Sequence, residues 1–212
     1  MSLVAKAGGG STFTPVPPGM YLGRCYRIVD MGTQKSEYLG QVKHLPKVML
    51  QFEVHGEDDT GKPLITAKGE PMTISKNFTL SLAEKATLRK DLQTWRGKEF
   101  TADELRGFEL KNVLGAWAML NISKSAGNDG KDYTNIATIN SVPKQMKTTL
   151  PNGHNQAGMF TISDPDMTMF ETFGDNLKSK ITSSPEWQDR KTESKPTSKG
   201  NGFEDMDSDI PF

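Results

Sequence analysis

The stretch KVMLQFEVHG, residues 47–56, decides how the chain is read. Val48, Leu50, Phe52 and Val54 alternate with Lys47, Met49, Gln51, Glu53 and His55. A period of two is that of a strand with one face buried and one face open, so Phe52 belongs to a core. Upstream, MYLGRCYRIVDMG at 20–32 reads as an earlier strand. The intervening Asp30–Pro46 reads as a loop, long beside the roughly 2–5 residues of a usual hairpin connection. Downstream, EDDTGKP at 57–63 is turn chemistry, and PMTISKNFTLSL at 71–82 supplies a third β-rich run with Phe78 on its apolar side.

A helix signal then interrupts the strands. Ser81 and Glu84 have the spacing of a capping box, Leu88, Leu92 and Trp95 recur at helical intervals, and Gly97 can end the helix. Thr101 and Glu104 repeat the capping signature before a shorter helix over roughly 102–107. LGAWAMLNISKS at 114–125 and YTNIATINSV at 133–142, joined by AGNDGKD, read as a final hairpin. The expectation is a mainly β fold with a short helical insertion, ordered β-β-β-α-β-β. That is the order of a five-stranded OB-type Greek-key barrel, although an α+β sandwich could share it. Residues 20–145 hold this domain. Residues 1–19, rich in Gly, Ser and Pro, read as a flexible N-terminal arm. Residues 146–202 read as a poorly structured extension and linker, because GMFTISDPDMTMFETF at 158–173 keeps no steady period and 182–202 is linker-like in composition.

Composition narrows the function. Of 212 residues 34% are hydrophobic and the mean hydropathy is −0.57, which fits one ordinary core with polar extensions. The one cysteine, Cys25, has no intrachain partner and suits a reducing compartment. No run approaches the roughly 20 apolar residues of a membrane span, and the N-terminus has no apolar signal region, so a cytoplasmic location is expected. The formal charge of zero divides unevenly. Residues 203–212 carry Glu204, Asp205, Asp207 and Asp209 and no base, which leaves 22 acids facing 26 bases in the rest. A basic body with an acidic end points to a polyanion partner and a separate recruiting arm.

Enzyme signatures are not found. There is no phosphate-binding loop, Cys25 has no CxxC partner, and His44, His55 and His154 fit no zinc spacing, so no cofactor, metal site or catalytic residue is expected. A protein that holds unpaired strands needs cations for phosphates and flat rings for bases. The candidates are Arg24, Tyr26, Tyr38, Lys43, His44, Lys47, Lys76, Trp117, Lys124, Lys131 and Tyr133. Leu114, Ala116, Ala118, Leu120 and Ile122 share one side of their strand. Trp117 falls on the other with Met119 and Asn121, where it could stack on bases, pack under 158–173 or close the barrel. The Asp30–Pro46 loop, with Lys35, Tyr38, Lys43 and His44, is either a flap over bound strand or an extended first hairpin.

The ending GFEDMDSDIPF resembles the C-terminal peptide of bacterial single-stranded-DNA-binding proteins, acids followed by Ile-Pro-Phe. Asp205, Asp207 and Asp209 could lie along a basic ridge on a partner, while Ile210, Pro211 and Phe212 enter an apolar pocket and the terminal carboxylate meets a base. An ordinary solubilising tail would share the charge. The stretches RIVDMGTQKSEYLGQVKHLPKVMLQFEV, FTLSLAEKATLRKDLQTWRGKEFTADEL and YTNIATINSVPK are similar to a family of small phage-encoded OB-fold single-stranded-DNA-binding proteins, over roughly 19–145 plus the tail. The resemblance implies sequence-independent strand binding during phage replication, recombination or repair in the infected cell. It implies recruitment of replication and recombination proteins, leaves a homo-oligomer open, and implies no catalysis. The alternatives are a recombination mediator or strand-annealing protein, a nuclease or accessory replication factor, and an adaptor that never touches DNA.

Overall fold

In a computed structural model, residues 14–38, 40–127, 130 and 132–193 are described. The three runs around KVMLQFEVHG form β1 (Gly19–Tyr38), β2 (Gln41–His55) and β3 (Met72–Thr79). The final hairpin is β4 (Trp117–Ala126) and β5 (Asp132–Asn140). These five strands pair antiparallel in the spatial order β3-β2-β1-β4-β5, and a short β6 (Gly158–Phe160) lies parallel to β1 at Arg27–Val29. Helix α1 (Thr87–Arg96) follows β3, and α2 (Ala102–Arg106) leads toward β4.

Alternation is realised as the sequence suggests. Val48, Leu50, Phe52 and Val54 face a core with Ala118, Leu120 and Ile122. Leu88, Leu92 and Trp95 of α1 close over it, and the Phe52 and Trp95 rings lie 5.5 Å apart. Gly97 ends α1 in the left-handed conformation. The edge strands are drawn together through α1 and one lysine. Thr94 Oγ1 donates to Ile139 O of β5 at 2.7 Å, and Lys76 of β3 donates to Ala137 O of β5 at 3.1 Å.

Three expectations change. Within Asp30–Pro46, Asp30–Tyr38 and Gln41–Pro46 are strand rather than loop, because β1 and β2 stay paired out to Tyr38↔Gln41 and form a projecting two-stranded ribbon, the extended first hairpin of the two readings above. The Ser81–Glu84 capping box does not form. Helix α1 starts at Thr87 behind Ala86 with no side-chain cap, and Ser81 Oγ instead accepts from Ala83 N within a local turn. The box at Thr101–Glu104 is present in both directions.

The third change is the largest. Residues 158–193, expected to be poorly structured, fold as β6, α3 (Met167–Glu171), α4 (Asp175–Thr182) and α5 (Pro185–Glu193). Phe160, Ile162, Phe170, Phe173, Ile181 and Trp187 bury themselves on Val29, Met31 and Met49, the outward face of β1 and β2. Phe170 and Trp187 stack at 5.0 Å. Two bulges in β1, between Cys25 and Arg27 and between Asp30 and Gly32, bend the strand. Its first part therefore pairs with β4 and its middle with β6.

Candidate nucleic-acid interface

The outward face of β1, β2 and β4 is built by cross-strand register. Met20 stands opposite Asn121, Leu22 opposite both Met119 and His55, and Arg24 opposite both Trp117 and Glu53. Side chains on one face of paired strands sit about 4.5–5.5 Å apart, so these form a continuous surface. Trp117 is half-buried there, with its ring edge-on to His55 at 5.0 Å. Its carbonyl accepts Trp95 Nε1 at 2.8 Å, which fixes the strand at that point to α1. Met20, 63% exposed, extends the apolar surface.

Beside this face lies a polar clamp. Glu53 is fully buried, yet its carboxylate has five partners. His154 N donates at 2.9 Å, Asn155 N and Nδ2 each donate at 2.7 Å, His55 Nε2 lies at 3.3 Å, and Arg24 Nη1 lies at 3.4 Å. Burial pushes the Glu53 carboxyl pKa up, but donation from Asn155, His154 and His55 outweighs it and leaves the group below its ordinary value. Arg24 Nη1 also donates to Asn155 O at 2.9 Å. Gly153 lies flat on the Arg24 guanidinium, where a Cβ would overlap it. The segment 151–157 is thereby strapped across β1 and β2.

The candidate residues divide accordingly. Arg24, expected to meet phosphate, has its charge committed to Glu53. Tyr26, expected as an open ring, occupies the first β1 bulge and is buried, with Arg27 5.3 Å from its ring centre; burial raises its hydroxyl pKa. Lys76, expected as a strand contact, shares the core side with Leu50 and pairs with Asp91 of α1 at 2.7 Å. For Arg24 and Lys76 the reason is shared: an acid distant in sequence claims the charge. Lys47 is half-buried and donates to Thr79 Oγ1 at 2.8 Å, a contact that leaves its charge uncancelled.

Other candidates stay on the surface. Lys43 and His44 are exposed on the ribbon, with Lys35 opposite His44. Lys124 is exposed but paired with Asp132 across the β4–β5 hairpin at 2.7 Å. Tyr133 is 48% exposed and stands opposite Ser125. Tyr38 is placed by its backbone at the ribbon's end. Lys131 and the tail residues Asp205, Asp207, Asp209, Ile210, Pro211 and Phe212 lie outside the described residues.

Two features escaped the sequence reading. His55 was legible as an outward residue of KVMLQFEVHG, but its ring contact with Trp117 needed the β1 register. The grip of 151–157 on Glu53 spans about a hundred positions and left no local signal. Among the described residues, no group of three or more His, Cys, Asp or Glu is placed to hold a metal, and no helix is long and apolar enough to cross a membrane. Compared with known proteins, the chain matches no protein-family model, and no curated protein matches it.

Proposed function

We propose that this chain binds single-stranded DNA without reading its sequence, on an OB-type barrel, in phage replication and recombination. The observation that carries the reading is the open sheet face, where Trp117 stands against His55 beside Leu22, Met119 and the exposed Met20. Rings and polarizable methionines on a pleated surface suit unstacked bases, which stack on any aromatic face regardless of identity. The strand order β3-β2-β1-β4-β5, with Lys76 bridging β3 to β5, supports the OB assignment. The ribbon's Lys35, Lys43 and His44 supply exposed cations or hydrogen-bond donors for phosphates. In this reading the acidic end, closing on Ile210, Pro211 and Phe212, recruits replication and recombination proteins to covered strand and competes weakly for the DNA surface.

Titration of the full chain against labelled oligo-dT, with a duplex of equal length and a salt series, tests it. Binding that favours the single strand, with log K falling linearly as log salt rises, is expected. No binding in dilute buffer overturns the proposal. Annealing of complementary strands faster than the spontaneous rate would move the protein into the annealing class.

A further inference from the structure

The projecting ribbon is held at its root by the C-terminal helices through three consecutive residues. Gly32 has φ +65° and packs so closely on α5's approach that a Cβ would stand 2.6 Å from Ser184 Cβ and 2.8 Å from Glu186 Oε2. Thr33 donates its N–H to Glu186 Oε2 at 2.9 Å and its hydroxyl to Oε1 at 2.5 Å. Gln34 Nε2 donates to Lys180 O of α4 at 2.8 Å and to Met31 O at 2.7 Å. Thr33 faces Pro46, whose carbonyl accepts from Leu80 N at 2.8 Å on the far side of β2, and Thr33's own N–H turns instead to Glu186.

Beyond this root, Lys35, Glu37, Val42, Lys43 and His44 are exposed. A lone two-stranded ribbon is at best marginally ordered in water, so its direction is set where it is anchored. The bulge between Asp30 and Gly32 lies at that anchor, where a strand can bend. The Glu186 carboxyl gains both of its cross-element hydrogen bonds from Thr33, a residue 153 positions away.

We infer that Glu186 is a positioning residue for DNA binding: its carboxylate fixes the angle at which the ribbon presents Lys43, on the same side of β2 as His55, to the phosphates. The inference rests on the single-strand-binding reading above and adds the device that aims one part of the interface. Glu186 touches no nucleotide and acts through Thr33.

The test compares wild type, Glu186→Ala, Glu186→Gln and Thr33→Val in the full chain by amide hydrogen exchange and by oligo-dT titration over a salt series. Glu186→Ala should speed exchange across 35–44 and make the slope of log K against log salt shallower by about 0.7, the contribution of one phosphate contact on a single strand. Glu186→Gln, whose amide oxygen still accepts from Thr33, should recover most of the slope. Faster ribbon exchange with an unchanged slope overturns the inference, and so does unchanged exchange. A purely structural role would lower the thermal midpoint while leaving the slope alone. Should Glu186→Ala fail to fold, Thr33→Val carries the same two readouts. If wild type ignores oligo-dT, the binding reading has failed, and the exchange arm still decides whether Glu186 holds the ribbon.

Discussion

Lys76 on β3 and Asp91 on α1 form an ion pair at 2.7 Å, with side chains only 16% and 11% exposed. The same ammonium donates to Ala137 O on β5 and lies 5.5 Å from the Phe78 ring centre. One cation thus ties together the strand before the helix, the helix, and the last strand of the sheet. Its position on the core side follows from register, since Lys76 stands opposite Leu50.

Lys76→Ala should therefore destabilise the fold by about 1–3 kcal/mol, the range for losing a charged hydrogen bond and leaving its partner unmet. Urea melts read this directly. Oligo-dT affinity of the folded protein should stay within about twofold of wild type, since the charge is already committed.

Trp117→Ala should weaken oligo-dT binding by about 1–3 kcal/mol, the range for loss of one base–aromatic stack. Trp117→Phe should fall between. The ring touches His55 rather than the buried core, so melting should shift less than affinity does. An unchanged dissociation constant for Trp117→Ala would remove this face from the interface.

Replacing Lys35 and Lys43 together by Ala should flatten the salt dependence, lowering the slope of log K against log salt by about 1.4 at roughly 0.7 per phosphate contact. Both are exposed on the ribbon, so stability should change little. Lys124→Ala, which removes one half of a surface pair with Asp132, should change the slope less than either ribbon lysine does.

Glu53 sets an acid limit on stability. Its folded pKa is depressed by the strap's N–H groups and by His55, so the unfolded chain binds the proton more readily. Stability then rises with pH across this window. The contribution is complete above the ordinary Glu value of about 4.3 and is lost as pH falls through the lower folded value. At pH 7, Glu53→Gln should cost about 2–3 kcal/mol, as expected for charge-assisted hydrogen bonds in a buried site. The difference from wild type should shrink between pH 5 and pH 3 in denaturant melts. A gap that stays constant over that range would show that the carboxylate charge is not what holds the strap.

Strands and helix α1 were legible because their signals are local: alternation in 47–56, helical spacing of Leu88, Leu92 and Trp95, and Gly97 at the stop. The last third was not, because its helices run 5, 8 and 9 residues, too short for a clear period. Its partner surface was nevertheless written in the strands. Ile28 beside Val29, and Val48-Met49-Leu50, put apolar side chains on both faces, the mark of strand covered on both sides. At the candidate interface, alternation placed Trp117 outward correctly. It could not separate Lys43, which is exposed, from Arg24 and Lys76, whose acids arrive from elsewhere in the chain.

Gly153 resting on Arg24 has a bearing on where the chain can be cut. A fragment ending at residue 145 would keep all of β1 to β5, yet it would strip the buried Glu53 of Asn155 and the backbone of His154. It would also lay Val29, Met31 and Met49 bare to water. Such a piece would be sticky and would leave a carboxylate facing the sheet without its donors, so the autonomous folding unit extends at least to α5.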